Sequence, residues 1–278
     1  MVRGAWAGIV GPVRSHPLVA FFLLACLFGW APWIAVVLPG VSGGGNLPLA
    51  PLMAVLVVVP CQGREELRAW ARSVRSWRAA PRWYLVAVLA PIVLHIVIVL
   101  VNGVFGAPLP TPSQLSDWPQ VPVIFAVLLV LVGIGEETGW TAFAAPILLR
   151  RHGMLVAWAL ASAMRILWHL PLMISGDLPV MLGIVGNAAF TMVTLRLLVA
   201  RGGNWSLAAV WHAMLNATGY SFLFTMVIGT DHSRLSALMA IEYAVLALVI
   251  CVSVRPRVDR RRPTKGGTHV DRHASTHL

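Results

Sequence analysis

The chain has 278 residues, of which 58% are hydrophobic and 11% charged; a soluble domain usually carries about 25% charge. That composition excludes an ordinary soluble fold and gives a polytopic, all-α membrane protein. The net charge of +11 does not indicate nucleic acid, because the basic residues fall in short segments between apolar runs, as they do in membrane proteins.

A membrane helix needs about 20 apolar residues, and about eight such spans can be placed: 18–38, 41–61, 83–104, 121–149, 154–174, 178–199, 205–228 and 235–254. The first follows Arg3 and Arg14 and runs for 21 residues, longer than the roughly 7–15 of a signal peptide's apolar region. It is therefore expected to be a span, with residues 1–17 a cytoplasmic N-terminus. The second is the weakest. Pro48, Pro51 and Pro60 interrupt it and its start is glycine-rich, so a partly re-entrant segment is expected there.

Between the second and third spans lies a basic segment, 62–82, with Leu67, Trp70, Val74 and Trp77 at helical spacing. This pattern predicts an interfacial helix lying on the cytoplasmic leaflet. All but two of the 21 Lys and Arg residues fall on one side of the eight-span arrangement, which puts both termini in the cytoplasm. The exceptions are Arg234, in an opposite loop, and Arg165, inside the fifth span. Residues 255–278 read as a disordered basic tail whose Arg260, Arg261 and Arg262 suit anionic lipid headgroups. His269, His273 and His277 in that tail are spaced by four but form only a weak metal pattern. Cys26, Cys61 and Cys251 show neither a disulfide framework nor a zinc spacing.

Polar residues in the apolar spans carry the functional signal, because each ionised group at bilayer depth costs roughly 2.5–3.5 kcal/mol. Glu136 and Glu137 lie in the fourth span, Trp168-His169-Leu170-Pro171 in the fifth, and His212 and Asn216 one turn apart in the seventh. At 1.5 Å per residue Glu136 and His169 both come out about 20 Å from the cytoplasmic end, and His212 and Asn216 somewhat shallower, so the groups can meet. Adjacent glutamates diverge by about 100° on a helix. One is expected to act in chemistry and the other to orient or pair. An imidazole and a carboxamide one turn apart can donate to an oxyanion. His95 is expected to be an ordinary hydrogen-bonded core histidine. Neither a His-Glu-x-x-His helix nor a Gly-x-Ser-x-Gly elbow is present.

The succession Glu136-Glu137-Thr138-Gly139-Trp140, Trp168-His169-Leu170-Pro171 and His212-xxx-Asn216 resembles the CAAX-protease and bacteriocin-processing (CPBP, or Abi) family, whose relatives include the type II CAAX prenyl endopeptidase. The resemblance covers about 121–216, with a family-like core over 121–228. It implies an intramembrane endopeptidase acting on membrane-associated peptides or proteins. Carried over, Glu136 is the general base with His169, Glu137 the orienting acid, and His212 with Asn216 the oxyanion donors. No cofactor is required on this reading, although family members are often called metalloproteases. A divalent metal such as zinc on His169 and His212 is the alternative.

Two positions depart from the family pattern Glu-Glu-x-x-x-Arg and Phe-x-x-x-His: Thr141 replaces the arginine, and Arg165 replaces the phenylalanine. An Arg165–Glu137 ion pair is expected to restore the missing cation across the helix pair. The alternatives are a catalytically inactive scaffold or bacteriocin-immunity protein of the same fold, and a proton-coupled transporter, towards which Glu242 in the eighth span points. A single lysine, Lys265, among many arginines suits a GC-rich bacterial genome.

Overall fold

The computed structural model describes residues 11–35, 45–200 and 204–253. Among these residues there are helices and no strand. The chain enters as α1 (Pro17–Ala35) and returns as the short α2 (Ala50–Gln62); α3 (Arg64–Val74) follows, then α4 (Pro81–Val104). A long helix, α5, covers 121–152, and α6 (Met154–Trp168) and the short α7 (Leu170–Ser175) come next. The remaining helices are α8 over 182–200, α9 over 206–220, and α10 (Gly229–Ser253).

Local chemistry sets the boundaries. Pro81 stands at the start of α4, where a missing N–H is harmless. Gly153, at φ 73°, separates α5 from α6 in a backbone conformation that glycine adopts without strain. Pro171 has no N–H to continue α6, which ends at Trp168. Its terminal carbonyl instead accepts from the Trp30 indole at 3.0 Å and from Asn46 Nδ2 at 2.6 Å. Several helices widen into π turns: α5 at Leu129–Ile134 and Trp140–Ala144, α8 at Leu182–Gly186 and α9 at Asn216–Tyr220. Each wide turn rotates the residues after it relative to a regular helix, and such turns concentrate at functional sites.

By length and composition, five helices among the described residues can cross a membrane: Pro17–Ile34, Pro81–Val104, Pro112–His152, Leu182–Val199 and Gly229–Ser253. The eight expected spans are thus not all of full length. Ala50–Gln62 has 13 residues and Met154–Trp168 has 15, about 20 and 23 Å of helix against a hydrocarbon core of about 30 Å. The start of the second span is held against α1 by a backbone hydrogen bond. Leu47 N–H donates to the Gly29 carbonyl at 3.0 Å, well along α1, so the chain enters α2 part-way down the bundle.

Two apolar clusters form most of the core among the described residues. One joins α4, α8, α9 and α10 around Ile98, Phe190, Trp211, Leu235 and Tyr243. The other joins α1, α2, α5 and α6 around Phe21, Val55, Phe143 and Trp168. Many large apolar side chains remain outside, including Leu23, Val93, Ile174 and Leu248, a surface suited to lipid. The protein is a multi-pass membrane protein.

The basic segment does form a helix, α3, and none of its residues is fully buried. Its apolar stripe leans on the protein more than the interfacial expectation implies. Leu67 and Trp70 pack on the second cluster, the Trp70 indole donates to the Thr138 carbonyl at 3.3 Å, and Trp77 sits 5.4 Å from the Trp205 ring. His95 is fully buried between Thr218 (2.8 Å) and Tyr243 (3.2 Å), the core role expected of it. The expectations about residues 1–10 and the tail, including His269, His273 and His277, lie outside the described residues.

Candidate active site

Glu136 and Glu137 occupy one α-helical turn of α5, Gly135–Gly139, between its two π segments. Glycines let neighbouring backbones approach this turn. A Cβ on Gly133 would stand 2.6 Å from the Ala209 carbonyl oxygen, and one on Gly135 would stand 2.9 Å from that of Pro48. The first contact brings in α9, which carries His212 and Asn216; the second brings in the start of α2.

Glu137 is completely buried and fully engaged. Arg165 NH1 donates to Oε1 at 3.0 Å and NH2 to Oε2 at 2.6 Å, the expected two-point pair. The Thr141 hydroxyl donates to Oε2, and His212 Nδ1 lies 2.9 Å from Oε1. Three helices, α5, α6 and α9, are therefore tied through one carboxylate. The Arg165 guanidinium also lies 5.1 Å from the centre of the Phe190 ring and 5.6 Å from that of Trp140, so aromatic faces share in holding a cation that is 2% exposed. Thr141, a departure from the family pattern in sequence, is a direct partner of this carboxylate.

Glu136 is 4% exposed, yet among the described residues its Oε2 has no hydrogen-bond partner. It lines a cavity of about 530 Å³ together with His169, His212 and Asn216. The four expected site residues thus share one cavity, with Glu137 and Arg165 immediately behind it. His169 Nδ1 lies 2.8 Å from the Arg165 carbonyl oxygen. A carbonyl only accepts, so Nδ1 carries the proton, and in the neutral ring Nε2 keeps the lone pair. His212 Nδ1 likewise faces a carboxylate and donates to it. The Asn216 side chain has no hydrogen bond among the described residues and is free to donate.

Sequence reasoning missed Asn46. It also lines the cavity, and its amide is pinned to the Trp168 carbonyl while its Oδ1 is buried without a partner among the described residues. Its only signal was an amide in the weakest apolar run. Asp177 and Tyr220 are further lining residues that no pattern singled out.

Ligand atoms of Glu136, Glu137 and His212 lie within 4.8 Å of one another, which invites a metal. The donor set does not fit one. Both Glu137 oxygens are committed to Arg165, Thr141 and His212, and a metal ion would share that carboxylate with a buried guanidinium. His169 is not part of this group.

Residues 118–218 match the family model described as type II CAAX prenyl endopeptidase Rce1-like. No curated protein matches the chain. The matched segment contains both glutamates, Arg165, His169, His212 and Asn216, and over these residues the chain is similar to the CAAX protease family.

Proposed function

We propose that this protein is an intramembrane endopeptidase that hydrolyses a peptide bond with a water activated by Glu136. The observation that carries this reading is the contrast inside the glutamate pair: Glu137 is saturated, whereas Glu136 faces a 530 Å³ cavity with an unpartnered oxygen.

In the proposed reaction Glu136 takes a proton from the water as its oxygen attacks the substrate carbonyl, and His169 Nε2 helps to orient that water. The carbonyl oxygen gains negative charge and is met by Asn216 Nδ2 and His212 Nε2. Because His212 Nδ1 already donates to Glu137, a donating Nε2 requires both ring protons, with Glu137 as the counter-charge. Glu136 then returns its proton to the departing amine. Glu137 and Arg165 act by positioning: they hold His212, and the Arg165 carbonyl holds His169. No metal takes part in this scheme, and the crowded donor set around Glu137 supports that choice.

The transporter alternative rests on Glu242, whose Oε2 is also buried without a partner. Glu242 does not line the cavity that Glu136 faces. The deciding experiment is cleavage of a membrane-tethered peptide library by the purified protein and by Glu136→Ala. Cleavage by the first and not the second is expected; equal cleavage would remove Glu136 from the mechanism.

A further inference from the structure

The polarity of the helices around the cavity carries information about where its substrate comes from. Leu128 and Val132 line it from α5 and precede Glu136 by two turns and one. Tyr220 lines it four residues beyond Asn216 on α9, and Asp177 and Leu178 line it from the loop after α7. All of these lie on one side of the level of Glu136. On the other side Trp140, Thr141 and Arg165 are buried, and the void among them is only about 10 Å³; a separate cavity of about 520 Å³ at that end, lined by Trp70, Phe143, Arg150 and Arg151, shares no lining residue with the one at Glu136. The cavity is therefore closed at one end of the bundle and leads towards the other.

The two ends differ in charge. At the closed end lie Arg14, the arginines of α3, and Arg150 and Arg151 in the last turn of α5. Contacts join these segments: Gln62 Nε2 donates to the Val13 carbonyl at 3.0 Å and the Trp205 indole to that of Ser73 at 3.0 Å. The cavity end has Asp117, Asp177 and Asp231, and Arg234 there is paired with Asp231 at 2.7 Å. Cytoplasmic ends of membrane helices carry the excess of Lys and Arg.

We propose that the cavity is reached from the non-cytoplasmic side and receives an internal stretch of an exported, membrane-associated peptide. The lining holds no Lys or Arg, and the His212 cation of the proposed reaction is already matched by Glu137, so a free C-terminal carboxylate or a phosphate finds no unmatched cation there. Its chemistry suits an uncharged backbone segment, with Asn46, Asn216 and Tyr220 as polar partners. The direction of access follows from the fold and the charge distribution alone; the word substrate rests on the hydrolase reading above.

The test uses the full chain with Cys26, Cys61 and Cys251 replaced by alanine. Single cysteines are added at the cavity end (Ser175→Cys, Leu178→Cys) or at the basic end (Ser73→Cys, Ser76→Cys). A membrane-impermeant maleimide applied to intact cells is expected to shift the mass of the first two, and of the last two only after permeabilisation. The opposite pattern overturns the proposal. In a second arm, single-pass reporters present one apolar peptide stretch on either face of the membrane. Loss of full-length reporter is expected only for the outward-facing one, and cleavage of the inward-facing one alone overturns the proposal. Outward labelling with neither reporter cleaved would leave the access route standing and reject the hydrolase reading with its substrate.

Discussion

Glu136 and Glu137 are neighbours in the chain and opposite in circumstance: Glu137 accepts from Arg165, Thr141 and His212, while Glu136 Oε2 accepts from nothing among the described residues. The difference follows from helix geometry. Adjacent side chains point about 100° apart, so one reaches the α6–α9 junction and the other reaches the cavity.

Glutamine substitution is expected to separate the two residues. Glu136→Gln should lower cleavage of a tethered peptide by about 100-fold or more and leave the thermal unfolding midpoint in detergent almost unchanged, since no hydrogen bond to Oε2 is lost. Glu137→Gln should lower the midpoint as well, because it strands a buried guanidinium, a loss of about 3–5 kcal/mol. Equal midpoints for the two variants would contradict the division of roles.

Removing metal is expected to do little. Treatment with EDTA or phenanthroline should leave cleavage at the untreated level, because the Glu137 oxygens are already occupied. Activity that falls with chelator and returns with zinc would overturn the metal-free scheme.

Close helix contact at the site should be sensitive to a single methyl group. Gly133→Ala places a carbon 2.6 Å from the Ala209 carbonyl oxygen, and relieving that clash should cost about 1–3 kcal/mol while moving α9 and its His212 away from Glu137. Gly45→Ala, with nothing within 4 Å, is the control. A Gly133→Ala protein with unaltered unfolding and cleavage would mean that α5 and α9 adjust freely.

Much of this site was legible in the sequence because ionisable and amide groups are rare in apolar spans and each needs a reason to be there. Glu136, His169, His212 and Asn216 stood out on those grounds, and matched depth was enough to bring them together. The Arg165–Glu137 pair was legible for the same reason, since a buried guanidinium needs an anion. What the pattern could not carry was the path of the backbone. The π turns of α5 and α9 leave no mark in a 3.6-residue periodicity, and apolar composition does not say that α2 starts part-way down α1. Asn46 depends on that path: its partner is a main-chain carbonyl at the end of α6, and a main-chain group has no residue letter. Nor does apolar composition say which of the expected spans are short, because short helices buried against long ones look as apolar as spans.

The last prediction concerns the exchanged arginine. Arg165 supplies both donors of the pair with Glu137, and its NH2 lies 3.4 Å from the Thr141 hydroxyl. Positions 141 and 165 therefore face the same carboxylate from α5 and from α6. Arg165→Phe should leave the Glu137 carboxylate buried with only Thr141 and His212 as partners, lowering stability by about 3–5 kcal/mol, and cleavage should fall as His212 loses its fixed neighbour. Adding Thr141→Arg returns a guanidinium to the same oxygens from the α5 side, and phenylalanine is shorter than the arginine it replaces. The double variant should recover much of both losses, read as the unfolding midpoint and the initial cleavage rate. Thr141→Arg alone should be harmful, because it puts two guanidinium groups against one carboxylate in a region with only about 10 Å³ of free space. If the double variant is no better than Arg165→Phe in either measurement, the two positions do not exchange one cation. Arg165 would then owe its place to the Phe190 and Trp140 rings beside it rather than to Glu137.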